Sequence, residues 1–368
     1  MKKVIPLLFL LSLLLVLLVS IHLKLVQKLP EDGKFGFLRN AENLNLEGLE
    51  DTGATWFRPN FGYFVWGSMQ KDSDSPIDFT KTDEVVRDAE KRGLRLLITV
   101  FPFADWDQKN KGLGCKVTDN DTGLPERKGD FETPGLPYYR CNPNNWGLYE
   151  KWLVAVVDRY DGDGKNDMSG LQFPVLHYEI GNEPDLMKDA VSGVGTVYFI
   201  GTPAEYAELL QKSYTAIKSE NSKVQVLVAA PAGVQHSFAD FWDKVFAIPD
   251  IGDFFDIGNM HCLSAPSEDS NDPVALSAED LNVTFYKKLL TSHDIVKPIW
   301  VTEAENVQGS NVQENVQRLK ESVSNALKNG AQKIFFTGAS FANDPMRYTS
   351  EILLEERSYY KDIIYSYK

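Results

Sequence analysis

Short apolar runs alternate along the chain with amphipathic segments of helical period. The runs fall at 35–38, 54–58, 94–101, 175–180, 224–229, 255–260, 299–302 and 334–337, and each is β-rich or continuously apolar. Strands buried on both faces read this way. Between them, Val312, Val316, Leu319, Val323 and Leu327 form one stripe, with Gly330 placed to cap it. A second helix ends at Gly93, and Trp146, Tyr149, Leu153, Val156 and Tyr160 make a third stripe suited to pack against a sheet. Eight strands with crossovers exhaust residues 31–368, where no internal repeat or low-complexity linker intervenes. The rhythm predicts an α/β fold, a single (β/α)8 TIM barrel. An open doubly wound sheet is the alternative, but it calls for a Gly-rich phosphate loop after an early strand, and the first run is followed by Arg39, Asn40 and Ala41. The stretch 103–145 is an elaborated loop of the kind that decorates the catalytic face of a barrel.

Residues 1–30 follow a different pattern. From Val4 to Ile21 only Pro6, Ser12 and Ser20 interrupt an apolar run of 18 residues. As a helix, that length spans most of a bilayer's hydrocarbon core of roughly 30 Å. The run predicts a signal peptide or signal-anchor, and the want of an A-x-A-like site between Val19 and Leu29 favours the anchor. Lys2 and Lys3 orient the N-terminus to the cytoplasm, against the weaker vote of Lys24 and Lys28. The barrel is thus expected to be exported, outside the cell or tethered to the outer side of its membrane, and to touch the membrane through this segment alone.

Charge narrows the partners. Lys+Arg total 38 against Asp+Glu 52, a net charge of -14, and the leader holds four of the lysines and no acid. A carboxylate excess argues against nucleic acid, which selects for clustered Lys and Arg. A neutral, polar substrate fits better, bound by a barrel expected to act as a monomer. Of the three cysteines, Cys115 and Cys141 bracket a loop rich in Gly, Pro, Asp and Asn, and pairing is open to them in an oxidising compartment. Cys262 reads as a buried thiol.

Chemistry in such a barrel sits where strands end at the C-terminal face. Glu183 follows the fourth strand in Tyr178-Glu179-Ile180-Gly181-Asn182-Glu183-Pro184, and Glu303 ends the seventh in Pro298-Ile299-Trp300-Val301-Thr302-Glu303. Two carboxylates in different environments are what glycosidic bond cleavage needs, one protonated to donate and one ionised to attack. The Asn-Glu-Pro after strand four and the Glu closing strand seven resemble the signature of the retaining (β/α)8 glycoside hydrolases of clan A, in the general style of their cellulase-like and β-xylosidase-like branches. The resemblance covers essentially all of residues 31–368. It implies that Glu183 is the general acid/base, Glu303 the nucleophile, and Asn182 a hydrogen-bonding partner of the sugar 2-hydroxyl, with no cofactor or metal. Glu179 and Glu305 lie outside the motif positions and read as supporting or solvated carboxylates.

Arg58, ending strand two, resembles the arginine that this superfamily places beside the nucleophile, where it would hold Glu303 ionised. A purely structural ion pair is the other reading. His261 ends strand six at a position where relatives carry His, but Cys262 and Leu263 follow it, and no nucleophile-orienting Tyr is evident. A satisfied core histidine is equally consistent with that position, and His177 reads as a core or wall residue. Strand eight continues Phe336-Thr337-Gly338-Ala339-Ser340-Phe341, without the Trp that relatives offer as a sugar floor. Trp106 is the candidate platform on the long loop, with Tyr138, Tyr139 and Trp146 nearby. Phe61, Tyr63, Phe64 and Trp66 cluster after strand two, while Trp56 and Trp300 read as core.

Asp161-Gly162-Asp163-Gly164-Lys165-Asn166-Asp167 resembles part of a calcium loop but lacks a closing bidentate acid, so a solvated Asp-Gly turn is the alternative. Asn120-Asp121-Thr122 and Asn282-Val283-Thr284 are formal glycosylation sequons. Three functions therefore compete: a retaining glycosidase hydrolysing O-glycosyl bonds of a poly- or oligosaccharide, an inactive barrel that binds carbohydrate or a partner protein, and a metal-dependent hydrolase. The last is weakest, since five His include His22 in the leader and His236 and His293 in helices or loops.

Overall fold

The computed structural model describes residues 29–39, 48–59, 62–117, 136–186, 197–262, 278–304, 311–337 and 354–368. The Val4–Ile21 run, Glu305, Phe61, the first sequon and the end of strand eight lie outside them. The chain divides into two units, Met1–Glu31 and Asp32–Lys368. No helix among the described residues is long and apolar enough to cross a membrane.

In Asp32–Lys368, nine parallel strand segments form eight staves: β1 (Phe35–Arg39), β2 (Trp56–Pro59), β3 (Arg95–Leu96) continuing as β4 (Ile98–Val100), β5 (His177–Ile180), β6 (Gln225–Val228), β7 (Gly258–Cys262), β8 (Ile299–Ala304) and β9 (Ala331–Phe336). The staves pair as β3-β2-β1-β9-β8-β7 and β4-β5-β6. Two seams close the ring. Leu97, between β3 and β4, donates its N–H to Phe57 at 3.0 Å, and a parallel bridge joins Leu227 to Ile257 between β6 and β7. All eight runs predicted as strands coincide with staves.

The predicted stripes fold as α5 (Trp146–Tyr160) and α9 (Val312–Asn329) in a set that also includes α1 (Leu49–Thr52), α2 (Trp66–Met69), α3 (Thr80–Lys91), α4 (Asp105–Gln108), α6 (Pro203–Glu220), α7 (His236–Phe246), α8 (Val283–Thr291) and α10 (Leu354–Tyr365). Local chemistry fixes their ends. The Asn145 side chain caps α5, Thr202 and Glu205 form a reciprocal capping box on α6, and Gly330, at φ 111°, closes α9 in the left-handed region.

Alternation along each strand builds two cores. Outward positions such as Phe37, Phe57, Ile98, Val100, Tyr178, Val226 and Met260 pack on the helices. Inside the ring, Trp56, Leu97, Leu227, Ile257, Trp300 and Phe335 form an apolar lower layer, so Trp56 and Trp300 are core as expected. His177 plugs that layer from below, its ring 5.1 Å from Trp300 and 4.9 Å from Trp56, and burial pushes its pKa down to about 3. Two residues further along the same strands, the inward positions become polar: Arg58, Thr99, Glu179, Asn259 and Thr302, all buried.

The elaborated loop is pinned to the barrel. Cys115 and Cys141 form a disulfide with Cα atoms 5.5 Å apart. The buried Arg140 donates from Nη1 to the Val197 carbonyl at 2.6 Å. Cys262 is buried in β7 and takes no part in a disulfide.

Candidate active site

Strict alternation would send Glu303 outward with Val301. The ladder instead slips: Met260 pairs with Val301, but the next residue, His261, pairs with Glu303, so β8 carries one extra residue there. Such a bulge re-aims a side chain. Thr302 and Glu303 both reach the polar interior as a result.

Glu183 arrives by a different turn. After β5, Gly181 takes φ 77° and Glu183 itself φ 38°. A left-handed conformation costs a non-glycine residue about 1–2 kcal/mol, and the surroundings hold it there. The Asn182 carboxamide accepts from Arg58 Nη2 at 2.8 Å, and the buried Asp185 carboxylate accepts from the Ala232 N–H at 3.1 Å.

Arg58 organises the centre. Its Nη1 donates to Glu303 Oε1 at 2.7 Å, its Nε to Glu179 Oε2 at 2.8 Å and to Thr99 Oγ1 at 3.2 Å. Glu179 further accepts from the Thr99 hydroxyl at 2.5 Å and from Asn259 Nδ2 at 2.6 Å. His261 lies between the two motif carboxylates, with Nδ1 2.7 Å from Glu183 Oε1 and Nε2 3.6 Å from Glu303 Oε1. One atom from each of Glu183, His261 and Glu303 falls within 4.8 Å of the others.

The two carboxylates experience different fields. Burial pushes the Glu183 pKa up to about 7, opposed by the charge of Arg58 and reinforced by Glu179. Burial also raises Glu303, but this carboxyl has a direct guanidinium hydrogen bond that favours its anion. His261 is pushed down to about 4 by burial and so is neutral near pH 7.

A His and two Glu form a donor set familiar from metal sites. Here the Glu303 oxygen is bound to a guanidinium and the Glu183 oxygen to the imidazole, so the protein's own groups occupy the ligand atoms.

The structure therefore brings together Glu183, Glu303, Asn182, Arg58 and His261. Asn182 Nδ2 is buried and has no hydrogen-bond partner among the described residues, a donor on the same turn as Glu183. Glu179 is fully buried and holds Arg58. Trp106 sits apart from that hydrogen-bonded cluster. It is half-buried on α4, edge-on to Trp66 at 4.8 Å, and donates its indole N–H to the Gln70 carbonyl at 2.8 Å. Phe64 and Trp66 are core, whereas Tyr138 is 52% exposed with Lys116 over its ring.

Tyr198 was not anticipated. It is half-buried beside the pair, and the charges of Glu183 and Glu303 add to desolvation in holding its phenol protonated. Nothing in the run Thr196-Val197-Tyr198-Phe199 marks it; Arg140 places the segment, its side chain bound to the Val197 carbonyl and its own carbonyl accepting from the Ile200 N–H.

The Asp161–Asp167 turn draws three carboxylates within 4.8 Å of one another. Its oxygens accept from the N–H groups of Gly162, Asp163, Gly164 and Lys165 and from the Lys165 ammonium, which closes the turn by protein donors alone. Asn282 of the second sequon is buried and donates Nδ2 to the His261 carbonyl at 2.9 Å, so the folded chain does not present it.

No protein-family model matches the sequence, and no curated protein matches it in sequence. Solved structures do match the fold. A glucosidase from Croceicoccus marinus is 14% identical, with a TM-score of 0.58 over 90% of this chain and 66% of its own. A family 39 glycoside hydrolase from Bacteroides cellulosilyticus gives 13% and 0.56 over 90% and 63%. The endoglucanase Cel5A of Thermotoga maritima gives 14% and 0.51 over 90% and 96%. The chain spans just under two thirds of the first two enzymes. At these identities the likeness establishes the fold alone, a (β/α)8 barrel like those of the matched enzymes.

Proposed function

We propose that the chain is a retaining glycosidase that hydrolyses O-glycosidic bonds of a neutral poly- or oligosaccharide by double displacement. The observation that carries this reading is the proximity of two unlike carboxylates, Glu183 and Glu303, with oxygens within 4.8 Å. Retaining enzymes hold the two carboxyl groups about 5–5.5 Å apart, whereas inverting ones leave room for a water at about 6.5–9.5 Å.

In the first step the Glu303 carboxylate attacks the anomeric carbon while Glu183 gives its proton to the departing oxygen. The products are a glycosyl ester on Glu303 and a free alcohol. In the second, Glu183 takes a proton from water, whose oxygen attacks the same carbon and displaces Glu303. Arg58 keeps the nucleophile anionic, and Asn182 Nδ2, which has no partner among the described residues, is placed to donate to a substrate hydroxyl. The Croceicoccus and Thermotoga enzymes are a glucosidase and an endoglucanase, which makes neutral glycans the first class to test.

Export is part of the proposal. It is supported by the apolar run from Val4 to Ile21 and by the Cys115–Cys141 disulfide, a bond that persists in oxidising compartments.

The test is a panel of 2-deoxy-2-fluoro glycosides with good leaving groups, in the gluco, manno and xylo series. Stoichiometric covalent label on Glu303 is expected from at least one member. A barrel that binds these sugars yet acquires no label, and whose Glu303→Gln variant matches it on every aryl glycoside, would establish the inactive alternative instead.

A further inference from the structure

The hydrogen bonds beneath the acid/base run in one direction. Glu179 receives three donors on its two oxygens, from Arg58, Thr99 and Asn259, which leaves it only the role of acceptor. Asn259 must therefore turn its N–H2 toward Glu179, and its Oδ1 faces Thr302. The Thr302 hydroxyl donates to that Oδ1 at 2.8 Å. With its proton so placed, the Thr302 oxygen can only accept from His261 Nε2, 3.0 Å away. The Nε2 nitrogen then carries the ring proton, and Nδ1 presents its lone pair to Glu183 Oε1 at 2.7 Å.

We propose that Glu179, Asn259 and Thr302 form a positioning relay that locks His261 in the Nε2–H tautomer, so that its Nδ1 accepts the Glu183 proton and keeps the acid/base charged with it. The inference rests on the reading of Glu183 as acid/base and assigns the residues that hold its proton in place. All of the relay is buried, from Glu179 on β5 through Asn259 on β7 to Thr302 on β8. The charged and titratable groups around it are Arg58 from β2, Glu179 and Glu183 from β5 and its turn, Asp185 and Tyr198 beyond that turn, and Glu303 from β8. The lowered pKa of His261 agrees with a neutral ring. A neutral imidazole that donates at Nε2 has only an acceptor left at Nδ1.

Thr302→Val removes the acceptor at Nε2 with little change of shape. The Nδ1–H tautomer, which donates to a Glu183 carboxylate, then becomes competitive. A hydrogen bond to the charged form favours that form, so the alkaline limb of kcat/KM is expected to move acid-ward by about one pH unit.

The deciding measurement needs no turnover. With 15N-histidine label in the full chain, two-bond 15N–1H correlations read the tautomer of each ring, and His261→Asn identifies which signals belong to it. The expected result is Nε2–H in the native protein, Nδ1–H in Thr302→Val, and Nε2–H again in Thr302→Ser, which keeps the hydroxyl. Thr302→Ala, which adds no bulk, serves the same purpose if the valine variant does not fold. Nδ1–H in the native protein, or a tautomer unchanged by loss of the hydroxyl, would overturn the relay. A native protein that shows the relay's tautomers yet cleaves no glycoside supports the relay and refutes the glycosidase reading, which keeps the two failures apart.

Discussion

Replacement of Glu183 by Gln tests the electrostatics of the site independently of catalysis. Burial makes the Glu183 carboxyl titrate at about 7 rather than 4.5, a difference worth about 3 kcal/mol between its two protonation states. The sign follows from linkage. Between pH 4.5 and 7 the folded state holds a proton that the unfolded state has released, so stability falls as pH rises through this window and the deficit is complete above it. Gln carries a permanent N–H2 that can donate to His261 Nδ1 as the protonated acid does, and it has nothing to release. Wild type and Glu183→Gln should therefore be nearly equal in stability at pH 4.5, and the variant should exceed wild type by about 3 kcal/mol at pH 8. At an unfolding entropy of about 2.1 cal/mol/K per residue, a barrel of this length gains about 4 °C in Tm from that amount. Differential scanning calorimetry at half-unit steps of pH measures the difference directly. A constant offset between the two proteins from pH 4.5 to 8 would refute the raised pKa, and with it the assignment of Glu183 as the proton donor. The same variant should lose hydrolysis of substrates with poor leaving groups while keeping its ability to bind them.

Arg58→Lys keeps the charge but cannot reach Glu303, Glu179 and Asn182 together, as the guanidinium fork does; steady-state kinetics should show kcat/KM lower by about 10²-fold, the cost of a misplaced reacting group. Paired Cys115→Ser and Cys141→Ser substitutions open a closure across a sequence separation of 26 residues. The chain-entropy estimate for such a loop is about 3.5 kcal/mol, so Tm should fall by about 5 °C, and a reducing agent should bring wild type to the same value.

The staves were legible because their physics is local: a strand covered on both faces is apolar along its whole length, and turns or helices punctuate it. The motif carboxylates were legible for a second reason, that a barrel exposes strand ends at one face. What the sequence did not display is how those groups are aimed and charged. Glu303 faces inward only because β8 carries an extra residue against β7, and a bulge leaves no mark in composition. His261 read equally well as a core residue, and it is as buried as one. The role proposed for it rests on contacts with Glu183, 78 residues away, and Thr302, 41 residues away, partners that no periodicity relates. Tyr198 and Asp185 were missed on the same ground. Trp106, chosen for its ring and its place on a long loop, is tied by its N–H to Gln70, a contact that loop position alone does not reveal.

The counting of charge within the barrel gives the reason why one of two identical side chains becomes an acid. Below the polar layer lie Trp56, Leu97, Leu227, Ile257, Trp300 and Phe335, an apolar floor whose own side chains carry no charge and give little screening. Above it, among the described residues, the three carboxylates Glu179, Glu183 and Glu303 lie around one cation, Arg58, beside a neutral His261. Arg58 makes hydrogen bonds to two of the three, Glu179 and Glu303, and none to Glu183 among the described residues. Ionising all three would leave the cluster two charges negative in a buried site, and the group without a guanidinium contact is the one that gives way by keeping its proton. That places the proton on Glu183 and the negative charge on Glu303, as a donor and a nucleophile require. The asymmetry resides in the reach of one guanidinium, so an added cation near Glu183 should abolish it: Ala232→Lys, introduced where the backbone already contacts Asp185, should draw the alkaline limb of the pH–rate profile below neutrality, and a limb that stays in place would show that burial by itself holds the proton.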